Sequence, residues 1–164
     1  EPTSGEVKGG ASVQMGYFSQ NSLDVLDPAL TVLETVTAAL PHMNDSQVRT
    51  LLGCFLFSGD DADKKVTVLS GGERSRVVLA TLLGKPINFL VLDEPTNHLD
   101  IQSREVLMDA LRDFEGTLVV VSDDRHFLRE VTNRTIMVDG GEISVFEGGY
   151  AEFLASEQGN VQAR

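Results

Sequence analysis

The residues best placed to do chemistry in this 164-residue chain lie in Phe89-Leu90-Val91-Leu92-Asp93-Glu94-Pro95-Thr96-Asn97-His98-Leu99-Asp100. A short apolar run without alternation predicts a strand of a parallel sheet, buried on both faces, and it ends in two carboxylates. In open α/β sheets ligands bind beyond the carboxyl ends of the strands, so Asp93 and Glu94 arrive at the functional edge. Neighbours in extended backbone point to opposite sides, which lets one acid face a metal and the other a water. Taken alone, Asp93-Glu94-Pro95 fits a polar strand end and a proline turn equally well. A second stretch, Leu69-Ser70-Gly71-Gly72-Glu73, carries a capping box at Ser70 and Glu73. Free amides at a helix N-terminus also bind phosphate, and glycine lets the backbone approach closely. A cap needs one serine and one acid. Two glycines inside it weaken the helix start, and phosphate contact accounts for them better.

These groups need elements to hold them. Val13–Phe18 predicts a strand ending at Ser19-Gln20. A capping box at Thr31 and Glu34 starts a helix to about Leu40, stopped by Pro41; a second begins near Asp45 or Ser46 with Val48, Leu51, Leu52 and Phe55 on one side. After the polar loop 59–65, the Ser70-capped helix carries Val77, Val78, Leu79, Leu82 and Leu83 as far as Lys85-Pro86. Ile101–Phe114 predicts an amphipathic helix with Val106, Leu107, Ala110, Leu111 and Phe114 inward. Leu118–Val121 is a second buried strand ending at Ser122-Asp123-Asp124-Arg125. Strand, helix and strand in this order make a right-handed parallel crossover, which sets a second acidic tip beside the first. Ile136–Phe146 reads as a hairpin around Asp139-Gly140-Gly141, and a short helix follows from Tyr150 through Leu154, with a frayed polar end from Ser156.

Composition bounds the rest. Length fits one domain, and 41% hydrophobic with 23% charged residues is ordinary for a soluble globular protein. No apolar run has the length of a membrane span. A net charge of −12, from 25 acids against 13 bases, argues against the domain as a whole being a nucleic-acid binder, although Arg74, Arg76 and Arg125 lie close to the site. Cys54 is the only cysteine, so no internal disulfide forms and the reducing cytosol fits. Its neighbours Leu51, Leu52, Phe55 and Leu56 predict a buried thiol.

Together, Leu69–Arg76 and Asp93–Asp100 resemble the signature and Walker B regions of the ATP-binding cassette family, along nearly the whole chain. Asp93-Glu94-Pro95-Thr96-Asn97-His98-Leu99-Asp100, Ser103-Arg104-Glu105, Phe114-Glu115-Gly116-Thr117 and Phe146-Glu147-Gly148-Gly149-Tyr150 resemble the soluble twin-cassette F subfamily, its second cassette more than its first. The resemblance implies an α/β fold, a P-loop NTPase-like parallel sheet with flanking helices and a small helical subdomain. It divides the chain into a Q-loop strand region (1–20), a helical subdomain (21–68), a core of signature, Walker B, D-loop and switch (69–155) and a tail (156–164). It implies ATP hydrolysis coupled to translation on the ribosome, in the cytoplasm and without membrane insertion. The cofactors are ATP and Mg²⁺; the partners are a second cassette, in the same parent chain or a dimer mate, and the ribosome and tRNA through regions mostly outside this chain.

Residue by residue, Asp93 would hold Mg²⁺, Gln20 would help hold it and the attacking water, and Glu94 would be the general base. Ser70, Gly71, Gly72 and Glu73 form the signature loop, which caps the γ-phosphate of a nucleotide on the other cassette. Asp100 lies in the D-loop at the seam. His98, beside it, is as well read as a turn residue without chemistry.

Two departures matter. No Gly-x-x-x-x-Gly-Lys-Ser/Thr loop occurs in the 164 residues; the family places it upstream, so the cassette reads as truncated before the Walker A loop and the isolated chain is expected to be inactive. Asp123 stands at the switch position, where the family usually has histidine. An ionised aspartate repels a γ-phosphate, by about 4 kcal/mol for unit charges about 4 Å apart at a dielectric near 20. The rival readings are the motor subunit of a membrane transporter and a non-hydrolysing, nucleotide-gated binding module.

Overall fold

The computed structural model describes residues 3–97 and 99–162, without the side chains of Gln20 and 158–162. His98 lies outside the described residues. Three parallel strands, β1 (Met15–Phe18), β2 (Phe89–Asp93) and β3 (Thr117–Val121), form a sheet in the order β1-β2-β3. The register sets Gly16 beside Leu90 and Leu118, and Phe18 beside Leu92 and Val120. These residues share one face by strand alternation. That face is closed: Phe18, Leu90 and Leu92 join one core with Val77, Leu79 and Ala80 of helix α3 (Gly71–Leu83) and Leu107, Met108 and Leu111 of α4 (Ile101–Arg112). Gly16 faces that core, where a Cβ would lie 2.7 Å from the end of the Ile87 side chain and displace it.

The other face departs from expectation. Met15 and Tyr17 are 57% and 54% exposed, Val119 and Val121 39% and 55%. The unbroken apolar runs predict strands covered on both sides, but within this chain helices cover only one. The residues are apolar on both faces because parallel sheets carry cover on both; this chain supplies half of it. Asp93 pairs with Val121 in register, so it belongs to the open face.

Between β1 and α3 the chain builds helices α1 (Val32–Ala39) and α2 (Asp45–Cys54), with 3-10 turns at Gln20–Leu23, Gly59–Asp63 and Val66–Val68. Val32, Val36, Leu40, Val48, Leu52, Phe55 and Phe57 are buried here and continuous with the sheet's core. Three helices start with the same device. Thr31 and Glu34, Asn44 and Gln47, and Ser70 and Glu73 each exchange side-chain and backbone hydrogen bonds as a capping box. The second helix starts at Asp45, as expected, with Asn44 as its cap. Cys54 is exposed, contrary to expectation; the buried residues of α2 are Val48 and Leu52, and Cys54 stands two residues past Leu52, turned well away from that face.

After α5 (Arg125–Val131) the antiparallel hairpin β4 (Thr135–Asp139) and β5 (Glu142–Phe146) turns on Gly140 and Gly141, both at positive φ, as a two-residue turn demands. Helix α6 runs from Tyr150 to Gln162, well past Leu154, because no proline interrupts it.

The one-sided sheet has a direct consequence. In denaturant melts of this chain, Leu92→Ala is expected to cost about 2–5 kcal/mol, and Val121→Ser less than about 0.5 kcal/mol. Equal losses at both positions would show that the outer face is covered in solution.

Candidate active site at the strand tips

The strand β2 stops at Asp93, and the next residue does not continue it. Glu94 has φ +48°, in the left-handed region that costs a non-glycine residue about 1–2 kcal/mol. Strand alternation therefore does not set its direction. The position is held by the backbone: the Glu94 amide donates to the Val121 carbonyl at 2.8 Å, and the Asn97 amide donates to the Glu94 carbonyl at 3.2 Å. Pro95 and Thr96, buried beneath the turn, fix it from below. Strain of this kind in a sheet-edge loop is where function is to be sought.

Across the edge, the Asp123 amide donates to Glu94 Oε2 at 3.4 Å. The two acidic tips thus meet, as the parallel crossover predicts. Partial burial pushes the Glu94 carboxyl above its ordinary value, and the charges of Asp123 and Asp93 push the same way against the Asp123 amide. A carboxylate with raised proton affinity is suited to a general base. Asp123 itself is exposed.

Ser70, Gly71, Gly72, Glu73 and Asp100 form a second group. Ser70 Oγ accepts from the Glu73 amide at 3.2 Å, and Glu73 Oε2 accepts from the Ser70 amide at 2.8 Å. The Ser70 amide holds the Glu73 carboxyl below its ordinary value, with Lys64 and Arg76 adding to it. Gly71 and Gly72 occupy the first two helical positions, whose amides the helix cannot satisfy. Asp100 caps α4, Oδ1 accepting from the Ser103 amide at 2.7 Å; that bond lowers its carboxyl, with help from Arg76. Arg76 therefore acts on both Glu73 and Asp100. Among the described residues no hydrogen bond or ion pair joins this group to Asp93, Glu94 and Asp123. Gln20 begins the turn after β1, and its side chain lies outside the described residues.

A family model described as ABC transporter matches residues 1–97. The chain belongs to this ATP-binding cassette family. It is 42% identical, over its whole length, to ABC transporter F family member 5 of Arabidopsis thaliana, covering 23% of that protein. It is 43% identical over 150 residues to YdiF of Bacillus subtilis, covering 92% of this chain and 23% of YdiF. The chain thus spans about a quarter of the length of these curated relatives. Among solved structures, the dimeric post-hydrolysis cassette MJ0796 bound to ADP and Pi is 27% identical with a TM-score of 0.68, covering 82% of this chain and 63% of that one. RNase-L Inhibitor matches with a TM-score of 0.67 at 27% identity, over 95% of this chain and 32% of its own. The cassette fold and a nucleotide-binding ATPase family follow.

The strained residue yields a stability test with an unusual sign. Glycine is ordinarily about 0.5–1 kcal/mol less stable than alanine; at position 94 the Glu94→Gly variant is expected to be the more stable by about 1 kcal/mol. Equal melting of the Gly and Ala variants would remove the left-handed constraint.

Proposed function

We propose that this chain is part of the second cassette of an F-type twin-cassette ATPase that couples ATP hydrolysis to work on the ribosome. The observation carrying the hydrolytic part is Glu94, held in left-handed backbone with its carboxylate against the Asp123 amide, beside Asp93 on the open face. Glu94 would take the proton of the attacking water, and the tips of β2 and β3 keep it at the edge where the phosphate arrives. Asp93, with Gln20, would hold Mg²⁺, which neutralises phosphate charge when bound. Mg²⁺ uses one or two carboxylates along with phosphates and waters rather than a protein cage, and among the described residues no group of three or more His, Cys, Asp or Glu could hold a metal. The amides of Gly71 and Gly72 would cap the γ-phosphate of a nucleotide on a second cassette, and Asp100 would lie at the seam. Among the described residues no hydrogen bond or ion pair ties that group to Glu94, which leaves each group free to serve a different nucleotide.

The phosphate cradle and the cover of the open face would come from the rest of the cassette. Exposed Met15, Tyr17, Val119 and Val121 support it, as does the 63% coverage of the solved cassette. On this reading the isolated chain does not turn over ATP. The ribosome as partner and the cytoplasm as location rest on the F-type resemblance of residues 93–105, 114–117 and 146–150. Among the described residues no helix is long and apolar enough to cross a membrane. Asp123 favours one second reading, a nucleotide-gated module that binds without hydrolysing.

ATP turnover by the complete protein, with and without ribosomes, tests the proposal. Ribosome-stimulated turnover is expected, and Glu94→Gln is expected to remove about 10²–10⁴-fold of it. ATP binding without turnover in either form would establish the gated module instead. Asp123→His is expected to raise turnover, and an unchanged rate would show that the charge at 123 does not limit it.

A further inference from the structure

Arg104 follows the D-loop helix start and belongs to neither group of site residues. Its Nη1 lies 3.0 Å from Asp124 Oδ2, and the two side chains are 32% and 14% exposed. Its Nε is buried without a partner, so the guanidinium is held largely by that one ion pair. Asp124 has several bonds to keep. Its Oδ1 accepts from the amides of His126 and Phe127, capping α5, at 3.0 and 3.1 Å. Its own amide donates to Ser122 Oγ at 3.1 Å, and Ser122 Oγ lies 3.5 Å from Thr96 Oγ1 in the turn after Glu94. Asp123 sits between Ser122 and Asp124, and its amide is the group that meets Glu94. The Arg104 amide donates to the Asp100 carbonyl at 3.0 Å, in the same helical turn that Asp100 caps.

We propose that Arg104 is a positioning residue that ties the N-terminal turn of α4 to the loop after β3 and so fixes the Asp123 amide against Glu94. A shift of α4 at its Asp100 end is passed through the Arg104–Asp124 pair to the base. Helix capping alone does not need this contact, because Oδ1 caps α5 and Oδ2 receives Arg104. The pair meets through one nitrogen and one oxygen, so lysine would keep its charge, as a more mobile point charge. The inference rests on the reading of Glu94 as base.

The test uses the complete protein with three variants. Arg104→Met keeps the aliphatic stem, Arg104→Lys keeps the charge, and Asp124→Asn keeps the cap, since asparagine caps as well as aspartate. Arg104→Met is expected to lower kcat about ten-fold with KM for ATP unchanged, a small displacement of a base being enough for that. Arg104→Lys should restore part of the loss. Asp124→Asn should match Arg104→Met, and the double variant should lose no more than either. Amide hydrogen exchange across Ser122–Leu128 should quicken in Arg104→Met while α1 and α2 stay unchanged. A kcat within two-fold of the parent, additive losses, or a lowered melting temperature with unchanged kcat overturns the proposal. If the unsubstituted protein shows no turnover, the ATPase reading falls. The positioning role falls with it, since no base is then left to position.

Discussion

The hydrogen bond from the Glu94 amide to the Val121 carbonyl, 2.8 Å long, is the constraint on which the site depends. It is the last rung of the β2–β3 ladder, and it lies where the chain must leave the sheet. A strand continuing straight on would carry Glu94 past the edge. Instead the backbone turns into the left-handed region, at a cost of about 1–2 kcal/mol, and the carboxylate comes back to the tip of β3. The cost is borne by what lies beneath: Thr96 and Leu99 are buried and Leu92 is fully so. The ladder itself exists because α4 returns the chain alongside β2, with Leu107, Met108 and Leu111 packed on the closed face.

The second group is organised by a different charge. Arg76 lies over the Phe57 ring at 4.9 Å and donates to the Phe55 carbonyl at 3.2 Å. Between those two residues Leu56 has φ +64°, so the guanidinium steadies a strained turn at the end of α2. The same guanidinium acts on Glu73 and Asp100. Arg76 thus bonds the turn after α2 directly, and its charge favours the ionised carboxylates that cap α3 and α4. A surface built this way can present Gly71, Gly72 and Asp100 to one partner.

Much of this was legible in the sequence, for physical reasons that differ by residue. Ser70 and Glu73, Thr31 and Glu34 declared their helix starts because capping is a local interaction written in four residues. The meeting of the acid tips was legible because two apolar runs joined by an amphipathic helix admit few topologies. The turn at Glu94 was not, since nothing in Asp-Glu-Pro marks a glutamate for positive φ; the tertiary bond to Val121 imposes it. The open face escaped for a related reason. Val119 and Val121 are apolar in any context, and composition records what a face is made for rather than what this chain sets against it. Arg104 lay inside a noticed motif, but its partner Asp124 is twenty residues away and only folding pairs them.

The same geometry limits what an aspartate at 123 costs. Asp123 meets Glu94 through its backbone amide, a group that any residue but proline would supply, so this contact to Glu94 does not depend on the side chain. What the side chain changes is charge and hydrogen bonding, since an ionised carboxylate only accepts where an imidazole can donate, and the Asp123 side chain is exposed. For two unit charges about 4 Å apart the interaction falls from about 4 kcal/mol at a dielectric near 20 to about 1 kcal/mol in bulk water. An exposed carboxylate lies nearer the second limit. On the proposed reading of Glu94 as the base, repulsion toward an arriving phosphate would slow turnover by roughly five-fold rather than prevent it.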